Sequence, residues 1–75
     1  MAKWTEAKIG ALTQHAATVG DYDLSVTGDG SHWMWAIWRQ GRDRAEFRGL
    51  EQSAADAMRT AESVVQRVLD WSPEM

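Results

Sequence analysis

The side chains of this chain that are capable of catalysis or of holding a ligand are few and scattered. Nucleophilic catalysis needs a Ser, Thr or Cys beside a base that a third group orients. Cysteine is absent, and the two histidines, His15 and His32, fall in different segments where surface or edge placement explains each of them. Ser53 stands three residues before Asp56 at the head of an apolar-periodic run, which is the pattern of a helix cap. Asp21 and Asp23 share one side of an extended segment and form the sort of carboxylate pair that cleaves glycosidic bonds. Such a pair works inside a cleft, and a small sheet with one long helix offers little concavity. For a metal, the histidines and aspartates lack ligand spacing, and Asp21-x-Asp23 lacks the glycine and terminal glutamate of a calcium loop. Gly28-Asp29-Gly30 is followed by neither a lysine nor a helix start, so it is no phosphate cradle. The residues predict no catalytic group, no metal site and no cofactor, hence a protein that is not an enzyme.

What remains is tryptophan and arginine. The chain carries five tryptophans in 75 residues, three of them between His32 and Trp38. Tryptophan either fills a thin core or anchors a partner, and arginine shares with it the leading place in interface energetics. The net charge is −3, yet residues 39–48 set Arg39, Arg42, Arg44 and Arg48 against Asp43 and Glu46, a positive stretch between two acidic ones. That patch is too small to promise nucleic-acid binding by charge alone.

The elements that must position these side chains follow from periodicity. The length fits one domain, residues 1–75, near the lower limit for a core without disulfides. Residues 1–20 form an N-terminal helix or arm: Ile9, Leu12, Ala16 and Val19 recur at helical spacing, Thr5 can cap, and Gly20 stops the run, while Gly10, Thr13 and Thr18 argue for an irregular arm instead. Residues 21–49 form a β-meander. Tyr22–Thr27 alternates apolar and polar, Asp29-Gly30 marks a hairpin turn, His32–Arg39 is a second strand, residues 40–43 turn again, and Arg44–Arg48 is a short third strand. Residues 53–71 form the C-terminal helix, with Ala54, Ala57, Met58, Ala61, Val64, Val65, Val68 and Leu69 on its apolar face. The fold class is therefore α+β: a three-stranded antiparallel meander packed on one long C-terminal helix, with a short N-terminal helix.

Alternation sorts the second strand into two faces. Trp33, Trp35 and Ile37 turn toward the helix; Met34, Ala36 and Trp38 turn away. Met34 and Trp38 with Arg39, Arg42, Arg44 and Arg48 are the candidate partner-binding set. The competing account is that the N-terminal segment folds over this face, or that a homodimer covers it. Trp4 and Trp71 read as lids on the edge of the core.

The strand pattern Tyr22-x-Leu24-x-Val26, the Asp29-Gly30 turn, Trp33-x-Trp35-x-Ile37, a turn at Gly41 and a helix opening Ser53-Ala54-Ala55-Asp56-Ala57 together resemble small uncharacterised bacterial and phage proteins with a W-x-W meander followed by one helix. The resemblance covers residues 20–70. It implies a β-β-β-α fold and no activity. The function expected is a non-enzymatic protein-binding module acting by surface occlusion, in the style of phage-borne inhibitors of bacterial defence such as anti-CRISPR proteins. Single-stranded nucleic acid stacked on the Trp/Arg face and a structural homodimer are the alternatives. No apolar run reaches the roughly 20 residues that cross a bilayer and the N-terminus lacks a signal-peptide core, so a cytoplasmic protein with no membrane contact is expected.

Overall fold

The computed structural model describes residues 3–70. Along the chain run β1 (Thr5–Ile9), β2 (Leu12–Val19), β3 (Tyr22–Gly28), β4 (Trp33–Arg39), β5 (Phe47–Glu51) and α1 (Ala54–Asp70). The strands form one antiparallel sheet in the order β1-β2-β3-β4-β5. The class is α+β as the sequence suggests, but the sheet has five strands rather than three, and no helix precedes it.

The N-terminal correction has a local cause. Apolar residues at Ile9, Leu12, Ala16 and Val19 satisfy a helical period, but Gly10 lies between two of them and would cost a helix about 1 kcal/mol. Instead it takes a φ of 63° and opens a two-residue link between Ile9 and Leu12, which face each other across β1 and β2. Ala11, the second linking residue, has no positive φ, the pattern of a type II′ hairpin turn, whose twist matches that of the strands it joins. Gly20, at φ 60°, repeats the device between Val19 and Tyr22. The β-branched Thr13, Thr18 and Val19 are at ease in the strand between these glycines.

The last strand also lies further along than its alternation predicts. Residues 44–46 remain in the connection, and pairing with β4 joins Ile37 to Phe47, Trp35 to Gly49 and Trp33 to Glu51. Gly49 sets this register, because a Cβ there would meet the Trp35 indole at 2.7 Å. Similarly β4 starts at Trp33, one residue later than expected. Asp29–His32 forms the loop before it, in which the Asp29 carboxylate accepts the backbone N–H of Ser31 at 3.0 Å and of His32 at 3.2 Å.

Helix α1 covers one face of β3, β4 and β5. Ser53 caps it, its Oγ accepting the Asp56 N–H at 3.1 Å and satisfying one of the donors that a helix start leaves free. Trp71, the expected last residue of the helix, lies outside the described residues. Ala57, Ala61 and Val65, spaced by four, are wholly buried and bring the helix close to the sheet. The sheet supplies the bulk: Leu24, Val26 and Ile37 are fully buried and Trp35 nearly so. Each such aliphatic side chain contributes about 1.5–3 kcal/mol by leaving water. Trp4 packs at the core's edge and donates its indole N–H to Glu62, tying the start of the chain to the helix 58 residues on. Among the described residues no helix is long and apolar enough to cross a membrane.

Candidate functional site

Because the N-terminal segment widens the sheet and does not fold across it, the sheet face opposite α1 has no covering layer among the described residues. Register fixes its composition, since directly opposed residues point to the same side. One transverse row runs Thr5, Ala16, Ser25, Ala36, Arg48; the next runs Ala7, Gln14, Thr27, Met34, Leu50; Ile9 and Leu12 end the face at the β1–β2 turn. With strands about 4.8 Å apart, five of them present a surface roughly 19 Å across. Its exposed apolar residues are Leu50 (71 % exposed), Ile9 (61 %), Met34 (48 %) and Leu12 (44 %), set at two ends of a floor made of small side chains.

Trp38 rises from this floor. It is half-buried and stands opposite Asp23 on β3. The Asp23 carboxylate is engaged from two sides, by the Thr18 hydroxyl at 3.1 Å and the Gln40 amide at 3.4 Å. The indole forms a wall shared by two shallow depressions. One, of about 530 Å³, spreads over Ala16 and Ser25 between Trp38, Lys3 and Gln14. The other, of about 630 Å³, lies between Trp38 and the connection to β5, lined by Asp43, Arg44, Glu46 and Arg48. A flat apolar-and-small floor, one standing aromatic ring and mixed charge at the rim make a surface suited to contact and unsuited to enclosing a small molecule.

The six residues expected at the partner-binding face divide. Met34, Trp38 and Arg48 share the uncovered face, and Arg44 reaches its rim in the depression beside Trp38. Arg39 does not belong there. It pairs with Tyr22 on the helix side, donating to the Tyr22 hydroxyl at 3.2 Å with its guanidinium 5.6 Å from that ring's centre. The hydrogen bond to Tyr22 holds the Arg39 pKa above its ordinary value. Arg42 lies in the turn after β4, where its N–H bonds back to Arg39. Residues that periodicity did not place on this face are Leu50, which continues the Met34 row, and Thr5 and Ala16, which extend the floor beyond Ser25. The signal for the floor was the short alternation Glu6-Ala7-Lys8-Ile9 followed by Gly10; Leu12–Val19 mixes apolar and polar residues on both faces and carries no such period.

The remaining candidates stay apart. The His15 ring packs 6.0 Å from Trp33 on the helix side, while His32 lies in the exposed loop beside Ser31. Asp21 occupies the turn after Gly20 and Asp23 the uncovered face. Among the described residues no cluster of three His, Asp or Glu side chains is placed to hold a metal ion.

No protein-family model, curated protein sequence or solved structure matches this chain.

Proposed function

We propose that the protein is a non-enzymatic binding module whose uncovered sheet face docks on another protein and acts by occluding the surface it covers. The observation that carries this reading is the position of Trp38: partly exposed at the junction of two depressions, with Ala36 and Arg48 one row away, Met34 and Leu50 two rows away, and Arg44 at the rim. Tryptophan and arginine dominate interface energetics, and a floor of Ala and Ser lets a partner approach closely enough to surround the ring. An inhibitor of a bacterial defence system would work in this way, and such inhibitors share with this chain its small size, lack of cysteine and mild net negative charge. Single-stranded nucleic acid fits the same face less well. Arg39 is turned to the other side, and Asp23 and Glu46 flank the ring on which a base would stack.

The test is site-specific photo-cross-linking in the native cell from a residue replacing Ala16, which is exposed on the face beside Trp38, with Ser63 on the exposed side of α1 as the comparison. A single partner captured from position 16, lost on Trp38→Ala and absent from position 63, supports the reading. Equal capture from both positions, or capture that persists unchanged in Trp38→Ala with the fold intact, overturns it.

A further inference from the structure

A sheet that does not close leaves two edges, here β1 and β5, and each presents a row of unpaired backbone groups to a further strand. The two edges differ in what they would accept. On β5, a second β5 centred on Gly49 would set Phe47 against Glu51 and Arg48 against Leu50, with no complementary pair, and Gly49 is already closed over by Trp35. On β1 the pattern is Thr5-Glu6-Ala7-Lys8-Ile9, and every one of these residues is exposed.

Backbone direction fixes which groups of β1 are free. In a two-residue hairpin the residues flanking the link are hydrogen-bonded to one another, so Ile9 bonds Leu12, and by alternation Ala7 bonds Gln14 and Thr5 bonds Ala16. The N–H and C=O of Glu6 and Lys8 therefore point outward from the sheet. If a second β1 runs antiparallel with Ala7 opposite Ala7, Glu6 of each copy lies directly opposite Lys8 of the other. These are then the hydrogen-bonded pairs of the new ladder, so one register satisfies the free backbone groups and places opposite charges face to face, twice. Glu6 and Lys8 both lie on the helix side of the sheet, where β1 is exposed along its whole length, so among the described residues none blocks the approach. Neither forms an ion pair among the described residues.

From this self-complementarity we infer that the protein forms a two-fold homodimer by antiparallel pairing of β1 with β1 of a second copy, making one continuous ten-stranded sheet. Both helices then lie on one side and both uncovered faces join on the other, with Ile9 of each copy packed on Thr5 of its mate. Edge pairing buries less than the roughly 1,200 Å² of a standard interface, so the dimer is weak and depends on concentration. The inference rests on β1 and not on the Trp38 reading, and either can fail alone.

The test is sedimentation equilibrium of the full chain over a dilution series at low salt, for the wild type, Glu6→Lys, Lys8→Glu and the double exchange Glu6→Lys/Lys8→Glu. Each single variant turns two attractive pairs into two repulsive ones and is expected to weaken dimerisation about tenfold or more. The double exchange restores opposite charges and recovers the wild-type constant. Far-UV circular dichroism verifies that all four fold alike. A wild type that stays monomeric throughout, or single variants that dimerise as the wild type does, overturns the proposal. So does a double exchange that fails to recover while remaining folded.

Discussion

Replacing Gly49 by alanine should destabilise this protein, although the same change in an ordinary extended strand stabilises one. Gly49 has no positive φ, so alanine is allowed by the backbone, and lowering the unfolded chain's entropy would by itself add about 0.4–1 kcal/mol. What opposes the change is Trp35. A Cβ at position 49 would lie 2.7 Å from Cζ2 and 2.8 Å from both Cε2 and Nε1 of the indole, a rigid ring buried to 8 % exposure that has no flexible end to swing aside. Overpacking of this kind costs about 1–3 kcal/mol, which exceeds the entropic gain and leaves a net loss of about 1–2 kcal/mol. Against a total stability on the order of 4–11 kcal/mol for a chain of this length, that is a large fraction, and it lowers Tm by roughly 5–15 °C. Urea and thermal melts followed by far-UV circular dichroism measure it. The ring itself can be tested in a double-mutant cycle: Trp35→Phe removes the part of the indole that meets the new methyl group, together with an indole N–H that is buried without a hydrogen-bond partner. The cost of Gly49→Ala should fall by at least about 0.5 kcal/mol in that background. A Gly49→Ala variant as stable as the wild type, or more so, refutes the packing of Trp35 over β5 and with it the register of the last strand.

Three further outcomes follow from the same geometry. Ser53→Ala removes the acceptor for the Asp56 N–H and should cost about 0.5–2 kcal/mol, read from the urea midpoint at unchanged m-value. Ala61→Leu, at a wholly buried position between helix and sheet, should cost about 1–3 kcal/mol by overpacking, while the similarly apolar Leu50→Ala on the uncovered face should change stability by less than about 0.5 kcal/mol. The backbone N–H groups of Ser31 and His32 and the Ser31 hydroxyl hold the Asp29 carboxylate below its ordinary pKa of 3.8. Its stabilising effect is then fully present above pH 3.8 and is lost as pH falls through the lower folded value; an NMR titration of the Asp29 carboxyl carbon should show a midpoint under 3.8, and a midpoint at or above it contradicts the loop geometry.

The sequence was legible where one signal stood alone. The apolar stripe of α1 and its Ser53–Asp56 cap are both in place, and alternation in Tyr22–Thr27 and in Trp33–Arg39 correctly turned Trp35 and Ile37 inward and Met34 and Trp38 outward. It was misread where two periods overlapped. Ile9, Leu12, Ala16 and Val19 fit a helix, yet Ile9 and Leu12 belong to different strands; the deciding residue was Gly10, whose positive φ is costly inside a helix and useful in a two-residue turn. The position of β5 depended on Gly49 meeting Trp35, a long-range fit that no local pattern in Arg44–Arg48 contains. At the candidate site, alternation placed Met34, Trp38 and Arg48, but Arg39 was assigned by its nearness to Trp38 in sequence. One step along a strand reverses the face, and Tyr22 offers the guanidinium an aromatic ring and a hydroxyl on the helix side.

One sheet face is open among the described residues, and a tryptophan stands on it. ¹⁹F NMR of the protein labelled with 5-fluorotryptophan, its resonances assigned by single Trp→Phe substitutions, reads the solvent contact of each indole from the shift between H₂O and D₂O. The Trp38 resonance is predicted to move clearly and the Trp35 resonance scarcely at all. A Trp38 resonance as insensitive to solvent as that of Trp35, in a dilute monomer, would mean that the chain covers this face itself and that it cannot be where a partner docks.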